Sequence, residues 1–357
     1  MPEVVVVGGG VMGLGAAREL RRRGFEQVCL IERGQTGRGA SWASAGIVGA
    51  TERDEADPRL ELRRVSRDLW PAFAAELRDE SGLDPEYTET GCLFVARDQA
   101  ELDWLRGRGT LLEDAELRQF EPGLGPAVLG GLPRAGGSVD PRRLVRALEL
   151  AARRAGIEIR TGIEVRGLRT TSERVTGVDT SEGSLDADLV VIAAGAWSST
   201  LAGCQPRPPV GPQRGQILAL DQAGVGLRHV LLTPTDPYLV PRPDGRLVIG
   251  ATREEAGWDA CLTAGGVAWL LTSAMGLVPG LRDCPILELW TGFRPLSVDG
   301  VPLIGPGELH GLWYLTGHGP SGIAPLPGSL ALLGALVTGQ PPPVDPTPFH
   351  PARFSAT

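Results

Sequence analysis

Three glycines at G-x-G-x-x-G spacing, Gly8, Gly10 and Gly13, follow directly on a run of four valines, Val4 to Val7. Each glycine answers a separate need of a bound pyrophosphate. Gly8 permits a tight turn, Gly10 lets the backbone approach the phosphates, and Gly13 lets the next helix pack close to the strand. Val11 and Met12 stand inside the motif, and the N-terminus of the helix that follows offers unbonded N–H groups and a positive dipole end to the anion. About 20 residues further on, where an acid reaches ribose hydroxyls, stands Glu32. A carboxylate there repels a 2′-phosphate and disfavours NADP. The motif by itself leaves FAD and NAD both open.

The elements that must position this chemistry are legible around it. The valine run is short, apolar and β-branched, which predicts a buried parallel strand, and Leu14 to Leu20 are apolar at helical spacing. Gln27 to Ile31 predict a second strand, ending at Glu32. A run dominated by small residues, Gly39 to Gly46, suits either a crowded backbone beside a flat ligand or a tight loop. Further helices are expected over 58–81, 99–106, 113–121, 140–155, 263–277 and 323–337. Asp140-Pro141 marks a start, with the acid as N-cap and proline at the first helical position. Residues 130–140 and 317–322 read as loops, and the proline-rich tail from Pro341 as irregular.

Strands are expected over 88–96 and 157–160, with a hairpin from 164–168 and 174–179. The fully apolar 188–194 strand ends in Ala194-Gly195-Ala196-Trp197-Ser198, small residues of the kind that close over a nucleotide. From Pro206 the pattern changes to strands at 216–220, 229–232, 238–241 and 247–250, which fit an antiparallel sheet with Pro243 to Gly245 as a turn, and a further strand is expected at 288–294. A strand at 312–316 follows. Nucleotide-type features fall at the start, middle and end of the chain, so two interleaved domains are expected. One comprises 1–50, 135–205 and 295–345 and binds the cofactor. The other comprises 51–134 and 206–294 and binds substrate, with 346–357 as a tail.

Composition narrows the function classes. The chain has 357 residues, 42% hydrophobic, with a net charge of −8. That balance argues against nucleic acid or an anionic membrane as the main partner. No stretch is apolar for the ~18 residues of a membrane span. The early strand leaves no room for a signal peptide, and a cytoplasmic location is expected. The five cysteines and four histidines are scattered, which predicts structural thiols and no metal site. Every basic residue is arginine, so no lysine is available as a base or Schiff-base former. Nothing fixes the oligomeric state, and a homo-oligomer is allowed.

Taken in order, nine segments make the chain resemble the FAD-dependent glycine oxidase and D-amino-acid oxidase family, most nearly bacterial glycine oxidases. They are Val4–Gly24, Glu32, Gly39–Val48, Val139–Leu148, Ala187–Ser198, Pro212–Leu218, Tyr238–Thr252, Thr291–Gly305 and Tyr314–Ile323. The resemblance implies an α/β fold in which a Rossmann-type FAD-binding domain is interleaved with an antiparallel-sheet substrate domain. It implies FAD as cofactor, with Gly8 to Gly13 at the pyrophosphate and Glu32, with Arg33 beside it, at the adenosine. Val165 presents its backbone to the adenine, and Ala194, Gly195 and Trp197 close over the nucleotide. Ala40, Ser41, Ser44, Ala45 and Gly46 fall beside the isoalloxazine. His318, Gly319, Pro320, Ser321, Gly322 and Ile323 form the loop at its pyrimidine side, where a helix after Gly322 would aim its positive end.

Enzymes of this family oxidise an amine beside a carboxylate by hydride transfer to flavin N5, and the imine then hydrolyses. On this resemblance Arg294, in Gly-Phe-Arg-Pro, clamps the substrate carboxylate and borders the flavin, and Tyr238 lines the same pocket. The chain departs from the family at one loop. Glycine oxidases have the form G-H-x-R-N-G, whereas here Gly317-His318-Gly319-Pro320-Ser321-Gly322 puts proline and serine for arginine and asparagine. Loss of that polar side chain favours a bulkier or secondary amine. No cysteine lies near the loop, so FAD is expected to be non-covalent. The expected activity is oxidation of glycine, sarcosine or a small D-amino acid, with O2 as acceptor. The alternatives are an amino-acid dehydrogenase or specialised-metabolite amine oxidase using another acceptor, and a flavin-binding subunit without catalysis. In glycine oxidases the imine product can feed thiazole synthesis for thiamine.

Overall fold

The computed structural model describes residues 3–49, 57–222, 224–235 and 237–355. The domain boundary expected at 50/51 lies outside them. Two sheets carry the architecture. The first has six strands in the order Leu303–Pro306, Leu312–Thr316, Leu189–Ile192, Val4–Val7, Val28–Glu32, Glu158–Thr161. All its pairings are parallel except the one between Leu303–Pro306 and Leu312–Thr316. Val4 to Val6 are fully buried at its centre, as a strand covered on both faces requires. The Val11–Arg22, Pro141–Arg154 and Leu326–Val337 helices pack on one face in a single core with Leu14, Leu30, Leu148 and Leu330.

The second sheet has seven strands in the order Ile286–Ser297, Val210–Asp221, Arg246–Gly250, Tyr238–Pro241, Val230–Leu232, Cys92–Ala96, Gly130–Arg134. It is mixed rather than purely antiparallel, because Val230–Leu232 runs parallel to Cys92–Ala96. The Ala264–Leu277 helix covers one face, with Leu270, Ala274 and Leu277 in the core. A small antiparallel sheet, Val165–Thr170, Val175–Thr180 and Gly183–Asp186, adds a third strand to the expected hairpin.

Local signals account for several boundaries. Asp140 caps its helix by accepting the N–H groups of Arg142 and Arg143, with Pro141 at the first position. Thr263 caps the next by accepting from Gly266 N–H. The Arg59–Ser81 helix ends at Gly82 in the left-handed conformation.

Three expectations are corrected. Residues 130–140 are not one loop: Gly130–Arg134 and Gly137–Ser138 are strands. Gly131 is there for space, since a Cβ on it would lie 2.8–2.9 Å from Leu117 and Leu93. The helix expected from Ile323 starts at Leu326, after a 3-10 turn over Gly319–Ser321. The reason is Pro327, which cannot donate to the carbonyl four residues back but fits the second position of a helix, whose N–H is unbonded anyway. The tail is not simply irregular. It forms 3-10 turns at Thr347–Phe349 and Pro351–Phe354, and Phe349 is buried in the core of the six-stranded sheet. Among the described residues, no helix is long and apolar enough to cross a membrane.

Candidate active site

The C-terminal ends of Val4–Val7, Val28–Glu32 and Leu189–Ile192 open on one cavity of about 620 Å³ that extends to the seven-stranded sheet. Every residue expected at the site lines it, with one exception. Gly13 does not reach the cavity. Its lack of a side chain serves packing, because a Cβ there would lie 1.8 Å from the Gly8 carbonyl oxygen. Gly8 itself has φ +110, a conformation that disfavours any side chain.

A continuous chain of contacts runs along the cavity. Ile163 N–H donates to the Glu32 carbonyl, which brings Val165 beside the acid. The Glu32 carboxylate accepts Gly9 N–H at 2.7 Å and Gly34 N–H at 2.9 Å, so it is fixed at the glycine turn. The Val11 N–H, at the helix N-terminus, donates to Ser41 Oγ at 3.1 Å. Ser41 begins the small run, and Ser44 Oγ donates back to the Ser41 carbonyl. Gly46, at φ +65, sits where a Cβ would lie 2.0 Å from the Val139 carbonyl oxygen. Ala43 touches the other sheet, since a Cβ on Gly292 would fall 2.3 Å from its own. Two residues beyond Gly292 is Arg294, and Leu296 bridges to His318.

The far wall is built from side chains that lean across neighbouring strands. Arg294 lies on Ile286–Ser297, and its guanidinium covers Gly215 of the adjacent strand, where a Cβ would meet it at 2.6–2.8 Å. Its Nη1 donates to the carbonyls of Thr252 at 3.0 Å and Arg214 at 3.3 Å, which fixes the plane of the fork. Tyr238 lies two strands further on and covers Gly250, where a Cβ would meet the phenol oxygen at 2.5 Å. Ile217 pairs with Gly250 and lines the cavity two residues from Gly215, so both glycines lie on the cavity face. Two glycines therefore let an arginine and a tyrosine, approaching from opposite sides, converge on one space.

His318 is 7% exposed, and Ser329 Oγ lies 3.2 Å from its Nε2. Burial pulls its pKa down to about 3, so the ring is neutral at physiological pH. Pro320 is exposed while lining the cavity. Trp197 carries the Arg33 guanidinium 3.7 Å above its ring and stacks on Trp258 at 4.6 Å, and Phe293 meets both edge-on.

Sequence reasoning missed the supports of this site. Arg242 is 5% exposed and donates to the carbonyls of Ala45 at 2.6 Å and Val139 at 2.8 Å, while Trp290 Nε1 donates to Ala43. Both hold the small run from the other sheet. Burial brings the Arg242 pKa down to about 10, which leaves it charged. Arg63 and Arg253 also line the cavity and were not anticipated. Nothing in the local sequence marks any of these four. Arg242 and Trp290 are set by contacts across more than 100 residues, Arg253 lies just past the end of a strand, and Arg63 lies on the Arg59–Ser81 helix.

An anchored carboxylate, a helix N-terminus, a small-residue platform and a guanidinium with a phenol, met in that order, are the donor set of a dinucleotide site joined to a site for a small anion. The residues fit FAD: glycines keep the backbone open at the turn, and one cavity runs from the anchored Glu32 to Arg294. The protein is thus a dinucleotide-dependent oxidoreductase by class. The chain belongs to the FAD dependent oxidoreductase family, whose model matches residues 3–336, and FAD is its cofactor. It is 38% identical to a glycine oxidase of Pseudomonas aeruginosa over 98% of both chains. Its structure is similar to that of a glycine oxidase from Geobacillus kaustophilus, with TM-score 0.91, 34% identity and 98% of both chains covered. It is also similar to an iminodiacetate oxidase from Chelativorans sp., with TM-score 0.87, 32% identity and the same coverage.

Proposed function

We propose that Arg294 and Tyr238 hold the carboxylate of a small α-amino acid against FAD, and that the chain carries out FAD-dependent oxidative deamination of that acid. Glycine, sarcosine and small D-amino acids are the substrate class, and O2 is the acceptor. In balance, the amino acid, O2 and water give a 2-oxo acid, an amine or ammonia, and H2O2. FAD supplies the hydride acceptor for the Cα–H bond. The observation that carries the reading is the convergence of Arg294 and Tyr238, over Gly215 and Gly250, on the same cavity as the glycine turn. The relatives reported above are oxidases, which favours the oxidase over a dehydrogenase.

The chain's own residues divide the work. Arg294 offers a bidentate fork, oriented by the Thr252 and Arg214 carbonyls, and orientation of this kind is worth several kcal/mol of barrier. Tyr238 offers a phenol beside it. His318 stays neutral and keeps the 318–323 loop in place through Ser329. Gly8, Gly10, Val11 and Met12 take the pyrophosphate, and Glu32, Arg33 and Val165 the adenosine. Ala194, Gly195 and Trp197 would close over the nucleotide, while Ala40, Ser41, Ser44, Ala45 and Gly46, with the 318–323 loop, would hold the ring system.

We propose the same two interleaved domains, a reading supported by how the two sheets draw on the chain. Residues 1–50, 135–205 and 295–345 contribute the six-stranded sheet, and 51–134 and 206–294 most of the seven-stranded one. A cytoplasmic location agrees with five free cysteines. The test of the function is anaerobic reduction of the bound flavin by a panel of amines. Glycine or sarcosine is expected to bleach it, and admission of air to restore it with release of peroxide. Failure of every α-amino acid to bleach it would sink the reading.

A further inference from the structure

Trp258 does not line the cavity, yet it touches the wall that does. Its indole stacks on that of Trp197, with ring centroids 4.6 Å apart and planes inclined by 24°. Trp197 lines the cavity, and the Arg33 guanidinium lies 3.7 Å from its ring centroid. Two flat groups this close have no room on one face of an indole, so Trp197 is held between them. Phe293, one residue before Arg294, meets both indoles edge-on, at 6.2 and 5.5 Å. Arg33 follows the Val28–Glu32 strand and Trp197 the Leu189–Ile192 strand, whereas Trp258 and Phe293 come from the side of the seven-stranded sheet. The stack therefore ties the two sheets together at the cavity wall, apart from every apolar core of the described residues.

Trp258 is presented by residues 254–263, which lie between the Arg246–Gly250 strand and the Ala264–Leu277 helix. Residues 257–263 are all exposed and put nothing into a core, yet two buried side chains hold the segment at both ends. Arg214, 6% exposed, pairs with the Glu254 carboxylate and donates to the Asp259 carbonyl at 3.1 Å and carboxylate at 2.8 Å. Gln216, fully buried, donates to Glu254 Oε1 at 2.7 Å and to Thr263 Oγ1 at 2.9 Å, and it accepts the Thr263 N–H at 2.9 Å. Between these anchors, Thr291 Oγ1 donates to the Ala260 carbonyl at 2.8 Å. Gly257 turns at φ +56 with open space where a Cβ would lie, so the turn, not packing, calls for glycine just before Trp258. A surface segment fastened this firmly, with one aromatic laid on the opposite wall, has the geometry of a strap.

We propose that Trp258 is a positioning residue that clasps Trp197 from outside the cavity and so governs how fast FAD leaves. Release past this wall requires Trp197 to swing out, and the Trp258 stack must break first. Loops that close over a site commonly set release rates in this way. The inference rests on the reading of Arg33 and Trp197 as part of the nucleotide end, and it makes no use of the amine that is oxidised. A contact supplied from the substrate side thus retains a cofactor that the other sheet holds.

The test uses the FAD-bound protein without any amine, and follows FAD release after dilution by the rise in free-flavin fluorescence. Trp258→Ala is expected to release FAD about five- to tenfold faster, the worth of one aromatic pair. Trp258 is 45% exposed, so its truncation leaves the cores filled. Trp258→Phe keeps a ring on Trp197 and is expected to restore most of the difference. Thr291→Val loosens the strap at Ala260 and is expected to speed release about threefold, the worth of one hydrogen bond. Release at the parental rate in Trp258→Ala would overturn the proposal. So would equal acceleration in Trp258→Ala and Trp258→Phe, which would assign the effect to general loosening and not to the stack. If no amine reduces the flavin, the oxidase reading fails, while the release rates still decide whether the clasp exists.

Discussion

The two ends of the cavity are built by different means. The nucleotide end is made of backbone: the Gly8 to Gly10 turn, the Val11 N–H, and a carboxylate whose oxygens are themselves held by the N–H groups of Gly9 and Gly34. The proposed substrate end is made of side chains, Arg294 and Tyr238, each on a strand of the other sheet. A backbone site is set by a few adjacent residues and tolerates little change. A side-chain site can be retuned by single substitutions, provided that the glycines beneath stay small. On the proposed roles, cofactor and substrate functions separate along the cavity, and substitutions at each end are expected to break different properties.

The largest effect is expected at Gly13. A Cβ there would meet the Gly8 carbonyl at 1.8 Å, so Gly13→Ala must push the Val11–Arg22 helix off its strand. A loss of about 3 kcal/mol in chemical denaturation is expected, with FAD content falling in parallel. Full FAD content with unchanged stability would contradict the packing account. Next comes Gly215→Ala, which displaces the Arg294 guanidinium without touching the nucleotide end. The apparent KM is expected to rise about tenfold while bound FAD stays stoichiometric, corresponding to about 1.4 kcal/mol of lost anchoring. Loss of FAD in this variant would erase the distinction between the two ends.

The smallest effect concerns acid. His318 has its folded pKa depressed to about 3, against an unfolded value near 6.5. Between those values the unfolded chain binds a proton that the folded chain refuses. Stability from this residue is then fully present above pH ~6.5 and is lost as pH falls towards 3. Lowering the pH from 6.5 to 4.5 is expected to cost about 2 kcal/mol more in the parent protein than in His318→Asn, measured by denaturant titration. Parallel pH profiles would show that the ring is not buried as a neutral base.

The contrast between the ends also explains what was legible in the sequence. Local patterns gave the valine strand, the glycine turn, Glu32 and the Asp140-Pro141 cap, because each depends on neighbours in the chain. The ordered family segments supplied Arg294 and Tyr238. What could not be read was the reason these two converge. Gly215 and Gly250 matter only through cross-strand register, and Arg242 reaches Ala45 across nearly 200 residues. Residues 130–140 misled for a related cause. Gly131 makes room for Leu93 and Leu117 inside a sheet, and composition alone reads the stretch as a loop. The late helix start at Leu326 was legible in principle from Pro327.

The most direct test of the account is Arg294→Ala in the FAD-bound protein, mixed anaerobically with glycine and sarcosine. FAD content is expected to match the parent. Flavin reduction is expected to lose about 2–5 kcal/mol in kcat/KM, at least thirtyfold, for every substrate that reduces the parent. Reduction at the parental rate, with the cofactor still bound, would show that the guanidinium over Gly215 does not hold the substrate and would contradict the division of the cavity.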